Sequence, residues 1–150
     1  MLRLLMSLML VFIALNCGDN KKNNIYNTID FGSIDPRILD LGKKVYDNIC
    51  ASCHDYGSAG AATMIDFRAW DKSAKKGMVK VLENVSAGYK GALGVMPPKG
   101  NCLSCSDEEI RASVLYIFKK VLDNKEKIDW VDSGNYYLSV QHNMIKLDKH

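Results

Sequence analysis

Apolar residues recur at Ile38, Leu41, Val45 and Ile49, three or four positions apart, which lines them along one stripe of a helix. Asp35 followed by Pro36 marks its start, because a short acceptor side chain suits the cap and a ring with fixed φ and no N–H suits the first helical position. A second stripe, Met78, Val81, Leu82 and Val85, stops at Gly88. The third is Ile110, Val114, Ile117, Val121 and Leu122. It follows Ser106 and Glu109 at capping-box spacing, with Asp107 and Glu108 at the end of the helix dipole that favours anions and Lys119 and Lys120 at the other, so residues 107–122 read as helix. A short helical turn is expected around "DFRAW". Between these segments, "DYGSAGAATM" and "YKGALGVMPPKGNCLSC" read as loops, and the second is long enough that a functional role is expected of it.

The chain opens differently. "MLRLLMSLMLVFIALNC" carries one positive charge, Arg3, and then an apolar run from Leu4 to Leu15 that is short for a bilayer span. At the extreme N-terminus this pattern predicts an export signal over residues 1–16 rather than a core helix. Cys17 ends the run, and "IALNC" resembles a lipoprotein processing site, which implies lipidation of Cys17 and a periplasm-facing, membrane-anchored protein. Asn16 stands where a small residue is usual, and the competing reading leaves Cys17 a free thiol. Residues 17–35, rich in Asn and Lys, suit a tether. The domain is then expected over 36–123, with 124–150 as a C-terminal extension. At 150 residues, one core is what the length allows. The balance of 20 basic against 17 acidic residues gives no basic footprint for nucleic acid.

"NICASCH" supplies the chemistry. Cys50 and Cys53 lie three apart at a helix end with His54 immediately after, the attachment signature of c-type haem: two thiols to meet the two vinyl groups and an imidazole to ligate iron. An exported chain is where such attachment takes place, and where unattached thiols would be prone to oxidation. One rival joins this pair with Cys102 and Cys105 into a four-cysteine zinc site. The long gap between the pairs, the export signal and an idle His54 argue against it. A thioredoxin-type dithiol lacks its βαβ surroundings. Haem accounts for all five cysteines: Cys17 lipidated, Cys50 and Cys53 thioether-linked, Cys102 and Cys105 left to pair in a disulfide.

The stretches "LGKKVYDNICASCH" and "GVMPPKGNCLSCSDEEI", together with the closing helix, resemble class I cytochromes c, and within them the bacterial c-five subgroup. The resemblance covers about residues 36–122. It implies an all-α fold wrapped around one covalent haem c, with Cys50 and Cys53 binding the haem, His54 and Met96 ligating its iron, and Gly42, Tyr46 and Tyr116 in the contact between the first and last helices. It further implies a one-electron carrier between periplasmic or membrane redox proteins, with no substrate of its own. The sequence departs from the family in having no proline soon after the attachment motif, so the support of His54 is not legible.

Four methionines beyond the signal compete for the sixth iron position. Met78 lies on an apolar helix face, Met64 is too close behind the attachment motif, and Met144, like His142, belongs to the tail. Met96 sits on the long loop, where Pro97 and Pro98 restrict the backbone that presents its thioether. Trp70 is expected either to fill core or to bond a propionate. Arg68, Lys72, Lys75, Lys76 and Lys80 read as solvated charges, whereas Lys90 and Lys99 flank the ligand loop and are placed to meet an acidic partner. The competing functional reading is a haem enzyme or sensor that binds a small molecule at the sixth position. The single haem motif and the lack of a distal acid–base pair argue against it.

Overall fold

The fold is taken from a computed structural model that describes residues 23–92 and 94–132. The signal over 1–16, Cys17, His142 and Met144 lie outside the described residues. The elements in chain order are α1 (Ile25–Thr28), α2 (Pro36–Val45), a π turn (Tyr46–Cys50), α3 (Ala51–His54), α4 (Phe67–Ala74), α5 (Met78–Ala87), strands β1 (Tyr89–Lys90) and β2 (Val95–Met96), and α6 (Asp107–Asp132). Single 3-10 turns cover Phe31–Ser33, Ser58–Gly60 and Pro98–Asn101.

The cap signals act as expected. The Asp35 carboxylate accepts from the Arg37 N–H at 2.9 Å and Pro36 opens α2. Ser106 and Glu109 close a reciprocal box, the Ser106 N–H donating to Glu109 Oε2 at 2.8 Å and the Glu109 N–H to Ser106 Oγ at 3.2 Å. α2 and α6 cross at Gly42. A β-carbon placed there would lie 2.1 Å from the Ala112 carbonyl oxygen and 2.9 Å from Tyr116 Cβ, so only glycine permits this approach. The core gathers Ile25, Phe31, Tyr46, Met64, Trp70, Val81, Val114, Ile117, Phe118 and Val121 around the middle of α6.

Two boundaries differ from expectation. The segment anticipated as tether through residue 35 is packed from Asn24 onward: Ile25 is fully buried and Phe31 is 6% exposed, both in the core. Its polar residues are caps rather than solvated spacers, since the Asn24 side chain accepts from the Tyr26 N–H and Asp30 from the Gly32 N–H, each at 3.0 Å. Composition averages over the segment and hides the two anchors. At the other end α6 continues to Asp132, past the expected end at 122 and across the expected domain limit at 123. No glycine or proline interrupts residues 123–132, and Lys119 pairs with Asp123 one turn on, at 2.5 Å.

The loop expected to exclude a regular helix or central strand contains a minimal antiparallel ribbon, with Tyr89 opposite Met96 and Lys90 opposite Val95. Gly94 lets this ribbon touch the turn at residues 58–60, where a β-carbon would fall 1.7 Å from the Ala59 carbonyl oxygen. No helix among the described residues is long and apolar enough to cross a membrane.

Candidate haem site

The attachment motif rides on a right-handed run that starts at Pro36 and ends at His54, with one wider turn inserted just before the first cysteine. In that π turn the Ala51 N–H bonds the Tyr46 carbonyl, five residues back. Such turns re-aim the residues that follow them. Cys50 and Cys53 are both free and half-buried. Burial pushes the Cys50 thiol up, against a smaller lowering effect of the Ser113 hydroxyl.

His54 ends α3, and its Nδ1 lies 2.8 Å from the Ala62 carbonyl oxygen. A carbonyl can only accept, so Nδ1 carries the proton and the Nε2 lone pair is left for a metal. The loop that provides this oxygen is itself pinned. The Trp70 indole N–H donates to the Thr63 carbonyl at 2.7 Å, the Asn124 amide donates to the Met64 carbonyl at 3.3 Å, and the rings of His54 and Trp70 sit 5.4 Å apart. This is the support that the missing proline left unexplained. Trp70 is 8% exposed and its only polar atom is taken by Thr63, so it fills core rather than reaching for a propionate.

Met96 is half-buried on β2. Gly100 lies between it and the attachment run: a β-carbon there would meet Met96 Cε at 3.9 Å and Ile49 Cγ2 at 3.6 Å, both ordinary contact distances. The end of the Met96 side chain and Ile49, the residue preceding Cys50, thus both border Gly100. Met64 is 5% exposed in the core, and Met78 packs against the core. Cys102 and Cys105 are bonded to each other with Cα atoms 5.4 Å apart, which takes both from any four-thiolate site. Lys99 turns inward, its ammonium donating to the Cys105 carbonyl at 2.9 Å and to Asp107 Oδ1 at 3.0 Å, so it is engaged in holding the loop rather than offered to a partner. Lys90 is exposed as expected. Two thiols one helical turn apart, an imidazole with a free Nε2 and a thioether on the facing loop form a donor set that fits a c-type haem.

Residues 38–117, more than half of the chain, match the family described as cytochrome C oxidase, cbb3-type, subunit III. Cytochrome c-555 of Chlorobaculum thiosulfatiphilum is 40% identical over 76 residues, which are 51% of this chain and 88% of that protein. Cytochrome c5 of Azotobacter vinelandii is 36% identical over 75 residues, 49% of this chain and 86% of that protein. The chain belongs to the class I c-type cytochromes. Within them it is c5-like, a mono-haem electron carrier whose cofactor is one covalent haem c. The mainly helical architecture is the all-α cytochrome fold that the motifs implied. A chain in the crystal structure of an electron transfer complex of nitrite reductase with cytochrome c aligns with 31% identity and a TM-score of 0.49, over 59% of this cytochrome and 99% of that chain.

Proposed function

We propose that Cys50 and Cys53 form the two thioether links, that His54 through Nε2 and Met96 through its sulfur hold the iron from opposite faces, and that the protein shuttles single electrons between redox proteins rather than transforming a substrate. The contact that carries this reading is the one between His54 Nδ1 and the Ala62 carbonyl, because it fixes both the tautomer and the ring of the imidazole. Haem c, when bound, supplies a one-electron ferrous–ferric couple. The chain's own residues do the rest. The Ala62 carbonyl and Trp70 keep the imidazole in place, the Pro97–Pro98 backbone presents the thioether, and the core around Phe118 keeps water from the interior side.

Partners meet the protein through apolar contact at the ribbon that bears Met96. Val95 is 61% exposed there and Leu103 in the disulfide turn is 79% exposed, while Tyr89, paired with Met96 on the same ribbon, lies under the Lys76 ammonium, 4.4 Å from its ring centroid. Cys17, lipidated after removal of residues 1–16, ties the domain to the outer face of a membrane. The test is a pyridine haemochrome spectrum of protein matured with haem-attachment machinery. A c-type thioether spectrum with one haem per chain and a reduced form closed to carbon monoxide is expected. A reduced wild-type protein that binds carbon monoxide readily at neutral pH would instead indicate an open sixth position and a sensor or enzyme.

A further inference from the structure

Three side chains from three elements converge behind the attachment motif without being needed to hold haem. Tyr46 opens the π turn and is fully buried, and its hydroxyl donates to Asp55 Oδ1. Asp55 directly follows His54. Lys120 on α6 brings its ammonium to 3.5 Å from the same Asp55 oxygen and 4.3 Å above the centre of the Tyr46 ring. Tyr116, one turn earlier on α6, packs its ring 5.4 Å from that of Tyr46. The hydrogen bond from Tyr46 to Asp55 therefore brackets the whole segment that contains Cys50, Cys53 and His54, and Lys120 fastens both ends of the bracket to the long helix. Burial, reinforced by the bond to Asp55, pushes the Tyr46 phenol well above its ordinary range, so it stays a donor.

We propose that Tyr46, Asp55 and Lys120 are positioning residues that clamp the attachment segment against α6 and balance the carboxylate beside the iron ligand. The proposal rests on His54 as that ligand. A carboxylate one residue from the axial imidazole favours the more positive, ferric state. The phenol O–H and the ammonium withdraw part of that influence. Removing either donor frees the carboxylate's field, and removing the carboxylate abolishes it, so the two kinds of change move the reduction potential in opposite directions. A clamp that served only stability would give no such opposition.

The experiment measures the reduction potential and the ferric proton NMR spectrum of holoprotein carrying Tyr46→Phe, Asp55→Asn, Lys120→Met or Lys120→Arg. The expected result is a lowered potential in Tyr46→Phe and Lys120→Met, a raised one in Asp55→Asn, and a wild-type value in Lys120→Arg, with displaced haem-methyl resonances in Tyr46→Phe and Asp55→Asn. Potentials unchanged throughout, or Asp55→Asn and Lys120→Met shifting in the same direction, would overturn the proposal. If Tyr46→Phe assembled no holoprotein, the Asp55→Asn and Lys120→Met pair would carry the same opposite-sign comparison. Strongly shifted imidazole resonances in the wild-type protein test His54 separately, since their absence would remove the ligand assignment whatever the variants do.

Discussion

Gly42 and Ala112 bring the backbones of α2 and α6 so close that a methyl group on Gly42 would sit 2.1 Å from the Ala112 carbonyl oxygen. The atom met is backbone, with no flexible side chain to swing aside. Gly42→Ala is expected to cost at least about 3 kcal/mol by forcing the helices apart, the upper end of overpacking effects. Chemical denaturation of holoprotein measures it. A midpoint within error of wild type would mean that the crossing is looser than described.

Met96→Ala is expected to lower the reduction potential, remove the weak red absorption band of sulfur-ligated ferric haem and open the iron to carbon monoxide, since axial-ligand identity moves haem potentials over about 0.8 V. Retention of the band in this variant, with its loss in Met64→Ala or Met144→Ala, would reassign the ligand.

Lys99 spans from the Met96 loop to the Cys105 carbonyl and Asp107, and only 24% of its side chain is exposed. Lys99→Met keeps the aliphatic stem and removes both bonds. Charge-assisted hydrogen bonds are worth about 1.5–3 kcal/mol each, discounted here because Asp107 is largely in water. The red band of the variant is expected to melt away several degrees below global unfolding, and Lys99→Arg to restore part of the difference. Coincident melting of band and fold in Lys99→Met would deny the lysine this role.

Alkaline pH weakens the fold through Tyr26. Burial first, and the nearby Asp71 carboxylate second, raise its phenol from 10.0 to about 12. The folded state therefore holds this proton more tightly than the unfolded one. Its contribution is complete below pH 10 and is lost progressively as pH climbs from 10 towards about 12. Tyr46 and Tyr116 are shifted the same way. Tyr26→Phe, which keeps the edge-on contact with Phe118, is expected to flatten the fall in stability over that window without abolishing it. An unchanged slope in pH-dependent denaturation would show Tyr26 to be freely titrating.

The parts of this molecule written in neighbouring letters were readable in advance. Asp35–Pro36, the Ser106–Glu109 box and Cys50-x-x-Cys53-His54 each act within a few residues, so spacing alone conveys their geometry. The support of His54 was not readable, because its partner is the main-chain oxygen of Ala62 and any residue has one. Nor was the tie between Tyr46 and Asp55, which depends on a π turn that no pattern announced. Lys99 looked like a partner-facing charge because sequence does not show which way a long flexible side chain bends. The packed segment from Asn24 was concealed by its Asn-rich composition, where two apolar anchors settle the matter.

Cys17→Ser tests the anchor: the wild-type protein is expected in the membrane fraction and the variant in the soluble or unprocessed one. A wild-type protein already soluble after processing would remove the lipid from the account.

Because Ile25 and Phe31 belong to the core and the packed body starts at Asn24, a lipid on Cys17, as proposed above, would stand seven residues along the chain from that body, a reach of no more than about 25 Å. A carrier anchored in that way would not roam freely. It would search a shallow layer, sweeping sideways over the membrane, and would exchange electrons only with proteins whose docking sites stand within that layer.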